Sequence, residues 1–185
     1  MKNPYLFGYL PFVTICLFSL TFGVYTVGLS VDFFKEIGLY AGMREFLSDL
    51  QLRIFLLVMY ALLFFMIFSA LKLIAETIHE TAMLLFSKDE EGKSFSEARG
   101  GNVIYFFGSL ASAGGIHSIY ILAAVFLLTT FVYFVYIVYK MSRFMTMTNT
   151  IGLIIFEIII WSVLISSLIY IVLKLYNGVI ASLPF

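Results

Sequence analysis

"NVIYFFGSLASAGGIHSIYILAAVFLLTTFVYFVYIVY", residues 102–139, holds no Lys, Arg, Asp or Glu. As a single α-helix it would be about 57 Å long, nearly twice the thickness of a bilayer's hydrocarbon core. It must therefore break. Gly114-Gly115, followed by Ile116-His117, is the place where the turn-forming residues stand. The part after the break, 118–139, has the length of an ordinary membrane span. The part before it, "NVIYFFGSLASAGG", is short and rich in small residues. It reads either as a short span or as a re-entrant segment that turns back. That choice decides between five spans and four.

The whole chain supports the membrane reading. Its 185 residues are 62% hydrophobic and only 12% charged, with 21 Phe and 12 Tyr. Soluble domains are about half apolar and about a quarter charged. A soluble fold of this size could not hide so much apolar surface, whereas a bilayer acts as its solvent. The formal net charge is zero, so no strongly basic face for nucleic acid is expected. The single cysteine, Cys16, lies inside an apolar run and can form no disulfide within the chain.

The other spans follow outward from the broken stretch. A first run covers about 10–30, with Pro11 in the first turn, where a missing N–H costs nothing. Lys2 and this run resemble the charged start and apolar core of a signal peptide, but the run is too long and no small-x-small cleavage site follows, so a retained anchor is expected. A second span covers about 53–74 around "IFLLVMYALLFFMIFSAL", and helical periodicity continues past it through "KLIAETIHETAMLLF". The remaining spans are set at about 101–116, 118–140 and 150–173. The connection 31–52 reads as an interfacial helix or an irregular loop. The polar loop 87–100 contains Ser94-x-x-Glu97, a capping-box pattern that would start a new helix.

The expected fold is all-α: an integral membrane bundle of five transmembrane helices, with four spans plus one re-entrant segment as the alternative. Cations arbitrate. Five spans place Lys2, Lys72, Lys88, Lys93, Arg99, Lys140 and Arg143 on one side, against Lys35, Arg44, Arg53 and Lys174 on the other. Four spans with a re-entrant piece leave almost no bias. The positive-inside rule then favours five spans and a cytoplasmic N-terminus, in a multi-pass protein of the cell membrane.

Glu157 is the one carboxylate of the last span, "GLIIFEIIIWSVL". As a helix it lies about 10 Å inside the span's start. A charged carboxylate near the bilayer centre costs about 2.5–3.5 kcal/mol on insertion scales. The uncharged acid is therefore expected, facing protein and hydrogen-bonded to the preceding span through Thr129 or Thr130. Its role is either glue between helices or an intramembrane proton or cation group.

Lys72, Glu76, His79 and Glu80 share one stripe of the second helix, while Ile74, Ile78, Ala82 and Leu85 occupy another. The stripe reads as a solvated face with a Lys72–Glu76 pair at i,i+4, or as a docking surface for another protein. Glu76-x-x-His79 has the spacing of a carboxylate-bridged metal bundle, but the second such motif is missing, so no metal site is expected. His117, the other histidine, sits at the break as a turn residue near an interface. Gly108-x-x-x-Ser112, Ala111-x-x-x-Gly115 and Ser162-x-x-x-Ser166 are small-residue pairs that let helices approach closely. No phosphate loop, G-x-S-x-G or H-E-x-x-H pattern occurs. Neither catalytic residues nor a cofactor are expected.

The opening "MKNPYLFGYLPF", the Phe/Tyr-rich spans and the overall size resemble a small uncharacterised multi-pass membrane protein family of Gram-positive bacilli. The resemblance covers the layout of the chain. It implies a bacterial plasma-membrane protein of unknown function and transfers no active-site residue. The residues favour a non-enzymatic accessory or assembly protein, in contact with lipid and with another membrane protein or a second copy. The alternative is a small transport or channel subunit in which Glu157 lines a path.

Overall fold

A computed structural model describes residues 8–88 and 99–182, and every regular element among them is helical. Among the described residues there are six α-helices: α1 (Leu10–Glu36), α2 (Leu39–Phe46), α3 (Asp49–Phe86), α4 (Asn102–Ser112), α5 (Ile119–Met141) and α6 (Met147–Ser182). Among the described residues, four stretches are long and apolar enough to cross a membrane: Leu10–Glu36, Asp49–Phe86, Ile119–Phe144 and Met147–Ala181.

The count of five spans is not matched, and the segment expected at 101–116 is the reason. It forms the 11-residue α4, about 17 Å long, roughly half a bilayer core. A 3-10 turn, Ala113–Gly115, then leads the chain back into α5. The turn is tight: a Cβ on Gly115 would stand 2.9 Å from Ile121 Cγ2 and 3.3 Å from the Leu122 nitrogen. A side chain here would push the two arms apart. His117 is exposed in this turn.

The 37–48 connection contains a real helix. Gly38 turns the chain with φ 77°, the left-handed region that glycine enters without a Cβ penalty. Tyr40 of α2 donates from its hydroxyl to Asp49 Oδ1 at 2.5 Å, and Arg53 Nε donates to Asp49 Oδ2 at 2.9 Å. The bond to the Asp49 carboxylate pushes the Tyr40 phenol above its ordinary value. α3 starts earlier than hydropathy suggests because Ser48 and Gln51 form a capping box. Gln51 N–H donates to Ser48 Oγ at 3.2 Å, and Ser48 N–H donates to Gln51 Oε1 at 2.9 Å. The other capping-box pattern, Ser94-x-x-Glu97, lies outside the described residues.

α1 and α3 pack antiparallel: Ser30 and Tyr60 share a hydrogen bond at 2.7 Å, while Phe18 meets Phe68 further along. The two helices approach closely at Gly23, where a Cβ would lie 3.3 Å from the Ala61 nitrogen. Rings of Phe18, Phe22, Phe64, Phe68 and Phe126 then tie α1, α3 and α5 together, several of them edge to face. α4 fits between α1 and α5. Ser112 Oγ is 3.0 Å from Thr21 Oγ1, and Gly108 lies directly against Thr129. α6 runs back along the C-terminal half of α3, where Asn149 Nδ2 donates to the Phe86 carbonyl at 2.8 Å and Phe156 packs on Phe86.

These contacts gather several chain ends at one end of the bundle. The end of α3, the end of α5 and the start of α6 lie together there, whereas the start of α1 packs on the middle of α3, Phe12 against Phe65. Gly100 and Gly101 lie against Tyr136 and Tyr133 at that end.

Candidate functional site

Glu157 is buried, with 4% of its surface exposed. It lies on the α6 face turned toward α3, together with Leu153. Its partner is not on α5. Glu157 Oε1 stands 2.5 Å from His79 Nδ1, and the His79 side chain is itself only 14% exposed. The other ring nitrogen, Nε2, is 2.8 Å from Met141 Sδ at the end of α5. One imidazole thus joins three helices.

The expected bond from Glu157 to Thr129 or Thr130 does not form, for a packing reason. Both threonines are turned toward α4 and their own helix. Thr129 donates to the Val125 carbonyl at 2.7 Å, and its side chain occupies the space left by Gly108. Thr130 donates to the Phe126 carbonyl at 2.9 Å and accepts from the Tyr105 hydroxyl at 3.2 Å. α6 meets α3 rather than the middle of α5, so the hydrogen bond of Glu157 goes to a side chain of α3.

The stripe Lys72, Glu76, His79, Glu80 divides accordingly. Lys72 pairs with Glu76 one turn on, both partly exposed, and Glu80 is exposed. His79 leaves the stripe for the interior. On a helical wheel it stands about 60° from Glu76 and about 60° from Ala82. Ala82 is fully buried. His79 therefore borders both faces, and packing chooses the inner one.

The contacts constrain where protons sit. A thioether accepts hydrogen bonds and donates none, so Nε2 carries a hydrogen toward Met141; this assignment rests on its partners. Nδ1 and Glu157 then share one proton, as imidazolium with carboxylate or as imidazole with carboxylic acid. Both forms leave the pair with zero net charge. A neutral pair avoids the solvation loss of a lone buried carboxylate. Because the proton can sit on either partner, the pair serves both to bind α3 to α6 and to present an oriented Nε2.

Around this pair lies a soft apolar patch. Met141 and Ile137 are buried, and Met83, Tyr133, Tyr136 and Met145 pack against them. The methionines carry no motif in the linear sequence. Their one legible signal is that Met83 follows His79 by four residues on α3. Among the described residues, no group of three or more His, Cys, Asp or Glu side chains comes together.

A family of unknown function, DUF5366, matches residues 27–184. The chain belongs to this family. A relative of the DUF5366 chain, an uncharacterised membrane protein, YufK, of Bacillus subtilis (strain 168), is 35% identical over 184 residues, covering all of both chains. The resemblance of the opening residues and layout to a bacillar membrane family is therefore correct. No solved structure matches the chain. The DUF5366 protein is thus a helical membrane protein whose family carries no assigned activity.

Proposed function

We propose that this protein is a non-enzymatic accessory or assembly protein of the bacterial cell membrane that meets its partner through α6. One observation carries the reading: every residue of α6 from Ser162 to Ala181 is exposed. That is about 30 Å of helix exposed along its whole length. Ser162, Ser166 and Ser167 lie in this exposed half, and small hydroxylated residues are those that let a second membrane helix approach and accept hydrogen bonds. The first half of α6 is anchored on α3 through Asn149, Phe156 and Glu157, so the exposed half continues from a fixed base. The exposed remainder of the stripe, Glu80 with the Lys72–Glu76 pair, offers the partner a polar contact. The occupant is a helix of another membrane protein.

Photo-crosslinking in native membranes tests this. A benzoylphenylalanine at position 166 or 170 is expected to give discrete protein adducts, and one at 63 or 127 to give lipid adducts only. Lipid adducts alone at 166 and 170 would overturn the reading. A small transport subunit is the second reading, favoured by the buried Glu157, which would act as an intramembrane cation group. It requires cation flux in proteoliposomes holding this chain, and absent flux excludes it.

A further inference from the structure

We propose that His79, Met83, Met141 and Met145 form a binding site for a soft monovalent cation, Cu(I), with Glu157 holding the imidazole in place. The site stands independently of the partner helix proposed above.

The donors come from two strands of argument. His79 and Met83 are four residues apart on α3 and so share a face. Met141 and Met145 are four residues apart across the short Ser142–Phe144 turn, and both belong to the patch into which Met83 packs. His79 Nε2 already faces Met141 Sδ at 2.8 Å. Three thioethers and one imidazole are soft and borderline donors, the set that selects Cu(I) over hard cations. No carboxylate or thiol trio is present to favour zinc or calcium among the described residues.

Glu157 completes the arrangement. A ligating histidine typically gives its second ring N–H to a carboxylate, which fixes the ring and raises its basicity. Nδ1 of His79 at 2.5 Å from Glu157 Oε1 is that contact, made before any metal arrives. Charge also balances. The cation displaces one proton from Nε2, Nδ1–H remains bound to the Glu157 carboxylate, and the site stays neutral: Cu(I) enters and one proton leaves. Nε2 and Sδ must part by about 1 Å to admit the ion, a change the three rotatable bonds of methionine absorb. Lys140, next to Met141 in the chain, sits over the Tyr136 ring, and Arg143 donates to the Tyr139 hydroxyl at 2.7 Å and sits over that ring.

The competing account is that three methionines simply fill an irregular gap beside Tyr133 and Tyr136. The two accounts differ in an anaerobic titration of the full chain in detergent, with Cu(I) delivered against a bathocuproine competitor. Cys16→Ala removes the one thiol that could bind copper on its own. The expected result is one Cu(I) per chain, with X-ray absorption showing sulfur together with a single imidazole nitrogen. Met83→Leu and Met141→Leu keep side-chain volume and are expected to weaken binding by at least ~10-fold with an unchanged gel-filtration profile. Glu157→Gln is expected to weaken it by about 10–100-fold. Copper well below one equivalent on the folded chain would overturn the proposal. So would a triple Met83→Leu, Met141→Leu, Met145→Leu variant that binds as tightly as its parent, or absorption spectra lacking sulfur.

Discussion

Cutting the link between α3 and α6 at His79 and Glu157 measures what a shared proton is worth inside this bundle. Glu157 is 4% exposed and the His79 side chain 14% exposed, so water replaces neither partner when the other is removed. Three magnitudes compete. A hydrogen bond between membrane helices contributes about 0.6 kcal/mol on average and up to about 1.7. An unsatisfied buried polar group costs about 1–3 kcal/mol. Breaking a buried ion pair that must stay charged costs about 3–5 kcal/mol. Here each partner can stand alone uncharged, imidazole without Glu157 and carboxylic acid without His79, so the third figure does not apply. Glu157→Ala and His79→Ala are each expected to cost about 1–3 kcal/mol. Their double variant should cost less than the sum, with a coupling of about 1–2 kcal/mol. Glu157→Gln keeps a donor for Nδ1 and should cost under about 1 kcal/mol. Reversible unfolding in mixed micelles, read by circular dichroism, supplies the cycle. Additive single variants would refute the pairing. A larger coupling of Glu157→Ala to Thr129→Val than to His79→Ala would refute it as well.

Two further outcomes are expected. Gly108→Ala should destabilise by about 1–3 kcal/mol, because its methyl meets the Thr129 side chain, whereas Gly28→Ala, with nothing within 4 Å, should stabilise slightly, by about 0.5–1 kcal/mol; the same unfolding assay compares them. Cysteines placed at 92 and 183 in a chain lacking Cys16 should label from opposite sides of the membrane, because α4 and α5 leave and return at one end of the bundle and α6 then crosses alone; labelling from the same side would contradict this arrangement.

Much of the architecture was legible in the residues themselves, and the reason is energetic. Burying backbone polar groups in lipid demands helices, and the apolar runs around 10–30, 54–71, 118–140 and 150–173 are long enough to announce them. The break at Gly114-Gly115 was legible for the same reason, since no helix of 38 residues without charge fits a bilayer core. Even the Ser48-x-x-Gln51 start of α3 was written in the sequence, although hydropathy drew attention to Arg53 instead.

Which helix meets which was not legible. Thr129 and Thr130 had the right depth for Glu157 on a list of spans, but depth says nothing about azimuth or neighbours. Only the packing shows that α4 wedges between α1 and α5, turns those threonines toward Gly108 and Tyr105, and leaves α6 to lie on α3. His79 illustrates the limit most directly. By itself the sequence placed it in the polar stripe with Lys72, Glu76 and Glu80. Tertiary structure decided the matter, because a lone buried carboxylate needs a partner and His79 was the group that packing brought within 2.5 Å. The methionines around it follow the same rule: Met83 and Met141 are 58 positions apart in the chain, and only the meeting of α3 with the end of α5 places them in one patch.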